Sequence, residues 1–246
     1  MRRLRWLCVV LASCGSGAGG SGVGAARIAP EHLTVRALPG GSGVLELTGL
    51  SMGQAPQRAE VYAALKNVGA TPACDAAFAI ELFDRSEQSV AAGISGVLAP
   101  RFYRRTNGTQ AIVGCVGPGA VGMAAIMDLP VDLRVEDVGF IVYHCPHFAL
   151  EVEPVEGLSV HELQTVRRDA GTAFAGHLVN GFDVTVSRPA VSVFPVDPGG
   201  RPLGMAESRS DVDEVPTGES WQFETSAVEE NASGFVAFPQ GVLQAP

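Results

Sequence analysis

The chain has little charge, one lysine, few tyrosines or tryptophans and no long apolar run, and each scarcity removes a class of protein. Charged residues are 17% of the 246, and Lys66 is the only lysine beside sixteen arginines. With 17 basic against 26 acidic side chains there is no basic surface to track a phosphate backbone, so nucleic acid is not an expected partner. The longest uninterrupted apolar run, Trp6 to Ala12, is about a third of the ~20 residues that a helix needs to cross a bilayer. Apolar residues at helical spacing are also hard to find over any long stretch. What is plentiful is apolar content, 46%, with 30 Gly and 16 Pro. That is too apolar for a disordered chain, and the length is too great for one small sandwich.

Met1-Arg2-Arg3-Leu4-Arg5 carries the positive charge of a secretory signal, Trp6 to Ala12 its short apolar region, and Leu11-Ala12-Ser13-Cys14 small residues ahead of a cysteine. The order Leu, small, small, Cys resembles the bacterial lipobox, in which the thiol receives a diacylglycerol and the chain is cut just before it. The resemblance implies a signal peptide at residues 1–13 and lipid attachment at Cys14, with a plainly secreted protein as the competing reading. Residues 14–27 then read as a flexible linker, because the tract Gly15 to Gly22 is all Gly, Ser and Ala and cannot pack a core. Loss of Arg2, Arg3 and Arg5 leaves 14 basic against 26 acidic side chains, a net charge of −12 that keeps a tethered domain off anionic lipid. The several acyl chains of such an anchor hold far more firmly than one. The implied address is the bacterial cell envelope, at the outer membrane, since Gly15 is not the aspartate that retains some lipoproteins at the inner membrane.

Two segments align without a gap at an offset of 113 residues. Val61 to Asn67 lies over Phe174 to Asn180, and Phe78 to Asp84 over Val191 to Asp197. A polar turn follows each, then Val90 or Leu203; further on, Val116-Gly117-Pro118-Gly119 answers to Val215-Pro216-Thr217-Gly218. The first copy carries about fifteen extra residues, Ser95 to Thr109, between these landmarks. Within each copy the apolar residues alternate, as in Phe78, Ile80, Leu82 and Val191, Val193. Period two with Gly, Pro, Asn and Asp punctuation predicts short antiparallel strands packed as a sandwich.

This pattern of Leu-x-Asn, alternating strand, Asp turn and Pro-x-Gly before another strand resembles the FxLYD family of bacterial immunoglobulin-like domains. In residues 172–225 the match rests on Asn180, Val191, Val193, Asp197, Gly199, Gly200, Val215, Pro216, Gly218, Glu219 and Phe223; in the first copy it rests on Asn67, Gly69, Phe83, Asp84 and Gly119. The long insertion and Pro195 depart from it. The resemblance implies accessory or binding modules without a catalytic centre. Independently of it, Asp197-Pro198-Gly199-Gly200 has the chemistry of a tight turn, and Asp84 can bond its own backbone.

Cys8 leaves with the signal and Cys14 takes lipid, so Cys74, Cys115 and Cys145 remain, enough for one disulfide and one buried thiol. On the immunoglobulin-like reading Cys74 lies at one pole of the sandwich while Cys115 and Cys145 share the other. The expected pair is therefore Cys115–Cys145, closing about 30 residues and contributing ~3 kcal/mol, with the other two pairings open. His144-Cys145-Pro146-His147 has metal-ligand chemistry, but 144 and 147 point to opposite faces of a strand and no second His/Cys pair accompanies them, so no metal is expected. His161 and His177 stand alone. No triad can be named, no nucleophile elbow is expected to anchor one, and Gly117-Pro118-Gly119 lacks the lysine of a phosphate loop. Asn107-Gly108-Thr109 and Asn231-Ala232-Ser233 are glycosylation sequons that a bacterial lipobox makes coincidental. Arg101-Phe102-Tyr103-Arg104-Arg105, inside the insertion, is the candidate recognition loop, because Tyr and Arg dominate binding hot spots and rigid sandwiches carry function on loops.

The expected architecture is all-β: two tandem immunoglobulin-like sandwiches, residues 28–155 and 158–244, joined by Pro154-Val155-Glu156-Gly157. The expected function is non-catalytic binding or scaffolding in the envelope, with no cofactor, reaching the membrane through the lipid anchor and meeting another envelope protein or an extracellular ligand. Three further functions compete with it. An envelope hydrolase with its site in the insertion or between the domains would need a pocket of titratable groups with shifted pKa. A structural spacer would show a featureless surface apart from one apolar patch, and a metal carrier would use His144, Cys145 and His147.

Overall fold

Alternating apolar residues bounded by turn formers become strands, and the computed structural model describes them over residues 26–28, 33–38, 43–55, 58–106, 111–228 and 232–243. The first half contains β1 (Ala26–Ile28), β2 (Thr34–Ala37), β3 (Leu45–Gln54), β4 (Ala59–Asn67), β5 (Ala73–Cys74), β6 (Ala77–Phe83), β7 (Ser89–Gly96), β8 (Arg101–Arg105), β9 (Ile112–Val116), β10 (Val121–Ile126), β11 (Phe140–His144), β12 (Phe148–Ala149) and β13 (Val152–Val155). The second contains β14 (Leu158–Arg168), β15 (Gly171–Asn180), β16 (Val186–Val196), β17 (Ala206–Arg209), β18 (Glu214–Val215), β19 (Ser220–Glu224) and β20 (Gly234–Leu243). Among the described residues the only helical element is a 3-10 turn at Val135–Asp137, and no helix is long and apolar enough to cross a membrane. The signal at 1–13, Cys14, nearly all of the linker and both sequon asparagines lie outside the described residues; β1 begins inside the last residues read as linker.

The fold is all-β and sandwiched. In the first half the sheet β1-β3-β4-β10 faces the sheet β2-β11-β6-β7 across Val61, Leu65, Phe78, Ile80, Leu82 and Ile141. A third sheet, β12-β5-β9-β8-β13, closes one side. In the second half β14-β15-β19 faces β16, flanked by β20 on one edge and by β17 and β18 on the other, across Phe174, Leu178, Val191, Val193 and Phe223. The halves share one pairing scheme: β3-β4-β10 with β7-β6-β11, and β14-β15-β19 with β17-β16-β20.

The same side chains close the same turns at the offset read from the sequence. Asn67 Nδ2 donates to the carbonyls of Thr71 (2.8 Å) and Val116 (2.7 Å), and its Oδ1 accepts from Gly69 N–H at 2.8 Å. Asn180 donates to Val184 and Val215, both at 2.9 Å, and accepts from Phe182 N–H at 3.0 Å. Asp84 Oδ1 accepts from the N–H groups of Ser86 (2.8 Å) and Gln88 (3.0 Å); Asp197 Oδ1 accepts from Gly199 and Arg201, both at 2.9 Å. Gly119 and Gly218 occupy equivalent left-handed positions, φ +72° and +75°, and each N–H reaches the asparagine carbonyl at 2.8 Å.

The halves are not beads on a linker. Tyr62, Ala64 and Met123 on the outer face of one sheet pack against Phe194, Val196 and Phe238 on the outer face of another, and Ser51 Oγ donates to Pro202 O at 2.5 Å. β4 and the C-terminal part of β16 are thus covered on both faces, which is why Val61 to Leu65 and Val191 to Val196 read as near-continuous apolar runs. Ser187-Arg188-Pro189 lies within a strand: β16 passes through Pro189 with a register shift between Ser187 and Ala190 and with Arg188 at φ +49°. Pro195 is accommodated because β17 pairs only as far as Val193.

Candidate functional site

Arg101–Arg105 is a strand, not a loop. It forms β8, hydrogen-bonded to β9 on one side and β13 on the other, and strand alternation sends Tyr103 inward against Cys74 and Cys115. The adjacent aromatics Phe102 and Tyr103, both strand formers, were the signal for this pairing. Phe102 meets Phe182 of the second half edge-on, centroids 5.1 Å apart. Arg105 pairs with Asp75 at 2.8 Å and Arg104 lies 3.9 Å from Asp183. Four of the five candidate recognition residues therefore hold the framework, and Arg101 remains exposed.

The disulfide is Cys74–Cys115, not Cys115–Cys145. β5 and β9 pair antiparallel with Cys74 directly opposite Cys115, Cα atoms 4.1 Å apart, so the strand before β6 reaches the cysteine that the pole argument kept distant. One bridge and one buried thiol were expected, and Cys145 is that thiol. Burial pushes it up to about 12, so it is held as the neutral S–H. His144 ends β11, and His147 Nδ1 lies 3.2 Å from the carbonyl of Cys145 rather than beside a second ligand. Among the described residues no group of three or more His, Cys, Asp or Glu is placed to hold a metal.

His161 and His177, solitary in sequence, are register partners on β14 and β15. Ser159 Oγ lies 2.8 Å from His161 Nε2, and Glu162 is 3.5 Å from His177 Nε2. Against the expectation that no nucleophile elbow occurs, Gly49-Leu50-Ser51-Met52-Gly53 does have its spacing. Its context is wrong for one. Ser51 sits inside β3, buried, with its hydroxyl bonded to Pro202 O, where an elbow needs an exposed strand-to-helix turn.

An open groove of about 570 Å³ runs along β19, its other wall made by the chain from Asp211 to Pro216. Trp221 anchors it: the side chain is 7% exposed, packs 5.9 Å from Phe223, and donates its indole N–H to Asp211 Oδ1 at 3.1 Å. The acidic residues Asp211, Glu214, Glu219 and Glu224 line the groove, with no Lys, Arg or His among its described lining residues. Arg168 on β14 grips Glu224 with two bonds, 2.8 and 2.6 Å, which hold the Glu224 carboxyl below the usual range and raise Arg168. Sequence reasoning missed this site because its acids are scattered through two strands and the segments before them, with no motif spacing.

The other shifted groups also serve the framework. The N–H of Gln88 and the hydroxyl and N–H of Ser86 hold Asp84 low. At Asp197 burial works upward, and the N–H groups of Arg201 and Gly199 with the Arg201 guanidinium outweigh it. Burial, then the neighbouring Cys145, raises Tyr143. Turns, an ion pair and a core account for all of them. No protein-family model, curated protein or solved structure matches the chain.

Proposed function

We propose that the chain is a non-catalytic lipoprotein of the bacterial cell envelope, anchored through Cys14 at the outer membrane, whose two immunoglobulin-like, FxLYD-like sandwiches act as a binding or scaffolding module. The observation that carries the binding role is the β19 groove: a concave, charged surface on a rigid sandwich, with its one shifted acid committed to Arg168. The duplicated Asn67/Asn180 and Asp84/Asp197 turns support the tandem reading, since they reproduce the residues on which the FxLYD resemblance rests. A buried contact between the halves favours a stiff platform over a flexible tandem. A Cys74–Cys115 bridge fits an oxidising compartment, which supports export.

Intact-mass spectrometry of protein from the membrane fraction, before and after reduction, tests the address. The expected species lacks residues 1–13, carries acyl chains and releases two thiols only on reduction. An unprocessed, unacylated chain that still carries Cys8 and Cys14 as thiols refutes the lipoprotein reading.

A further inference from the structure

The duplicated framework shows what belongs on the open edge of β19. In the first half, β10 is also an edge strand, and its register is fixed by Asn67 N–H bonding to Ala120 O. Alternation then turns the backbone groups of Met123 away from β4. They are not left open: Leu98, from the insertion, donates its N–H to Met123 O at 2.7 Å and accepts from Met123 N–H at 3.1 Å.

In the second half, Asn180 N–H bonds to Glu219 O and Thr225 N–H to Phe174 O, which fixes the same phase. Glu219 corresponds to Ala120, so Gln222 corresponds to Met123 and turns its N–H and C=O outward, as Ser220 and Glu224 do. The second copy has no counterpart of the insertion, and the groove lies where Leu98 sits in the first. We infer that β19 takes an extended basic peptide segment from a partner, added as an antiparallel or parallel strand at Gln222, with its cationic side chains meeting Glu219 and the acidic wall at Asp211. Backbone pairing would supply the affinity, and the acidic walls the preference for Arg or Lys over Asp or Glu. This rests on the binding-module reading above and names its ligand class.

The test uses the full chain and a fluorescein-labelled nine-residue peptide alternating Arg and Val, against the same peptide with Glu for Arg, read by anisotropy. The expected result is saturable binding of the Arg peptide, at least tenfold tighter than the Glu peptide, with protection of the Gln222 amide from hydrogen exchange. Gln222→Pro removes the outward N–H while leaving the ladder to β15 intact and should weaken binding at least tenfold. Glu219→Arg, which leaves the strand unchanged, should weaken the Arg peptide at least threefold relative to the Glu peptide and keeps the test decisive if the proline variant does not fold. Equal binding of both peptides, no binding, or an unchanged affinity in folded Gln222→Pro overturns the inference; so does concentration-dependent pairing of the chain with itself through β19, which makes a second copy the occupant. Loss of the peptide result with a lipidated mass removes the ligand class alone, whereas an unlipidated mass removes the address and leaves the groove standing.

Discussion

Asn180→Ala is the sharpest perturbation of the framework, because one side chain ties three segments together. Asn180 is fully buried; it donates to the carbonyls of Val184 and Val215 and accepts from the Phe182 N–H. At about 1 kcal/mol per bond, with buried groups left unpaired, the substitution should cost roughly 3–4 kcal/mol. For a chain of this size that lowers the thermal midpoint by roughly 6–16 °C. Asn67→Ala should do the same, since its bonds are equivalent. Asn180→Asp separates donor from acceptor: Oδ1 can still accept, but a carboxylate would face two carbonyls. Its folded pKa must therefore rise, so its residual stability is present below the unfolded carboxyl value and lost as pH rises through the folded one. Thermal denaturation followed by circular dichroism from pH 4 to 8 measures both. A drop below about 2 °C for Asn180→Ala, or no difference in pH dependence between the Ala and Asp variants, refutes the claim that these bonds close the turn.

Reduction of Cys74–Cys115, which spans 41 residues, should remove about 4 kcal/mol, and native alkylation before and after it, with peptide mapping, should label Cys74 and Cys115 but leave Cys145 unmodified until the chain unfolds. Phe238→Ala, at the contact between the halves, should cost roughly 3–5 kcal/mol and split one calorimetric transition into two; a single unshifted transition would mean that the halves are not coupled there. Asp84 and Asp197 are held below the carboxyl value of 3.8, so their contribution is present above that pH and lost as pH falls beneath it; Asp84→Asn should flatten the acid side of the midpoint-against-pH curve and leave pH 7 to 8 unchanged in slope.

The sequence reached furthest where the chemistry is local. Alternation in Phe78, Ile80, Leu82 and in Val191, Val193 marks strands that exist, and the 113-residue offset places Asn67 on Asn180 and Asp84 on Asp197 with the same bonds. It fell short wherever distant segments decide the outcome. Cys74 joins Cys115 because β5 adds to the edge of β9, a pairing with no sequence spacing of its own. Arg101–Arg105 looked like a loop because it sits in an insertion, yet β9 and β13 enclose it and convert it into a strand. The contact through Phe194 and Phe238 joins segments far apart in the chain and left no spacing in the sequence to mark it. The groove needed the register of β19 against β15 before its acids came together.

The two copies differ most in what each does with one edge. Both hold a terminal strand whose phase is set by the same asparagine, and in both the outward backbone groups at the middle of that strand need a partner. The first copy answers with its own chain: the insertion returns through Leu98 and continues into β8, adding a third sheet and sealing Met123. The second copy, lacking those residues, lines the equivalent place with carboxylates and leaves it open to water. An unpaired strand edge is an aggregation hazard unless charge guards it, and the acidic side chains of the groove are such a guard. The same charges that repel a second acidic chain admit a basic one, so protection of the edge and selection of a partner come from one set of residues. Charge reversal at Glu219 separates the two roles, because it should weaken the Arg peptide and, at the same time, raise the tendency of this net-acidic chain to pair with itself.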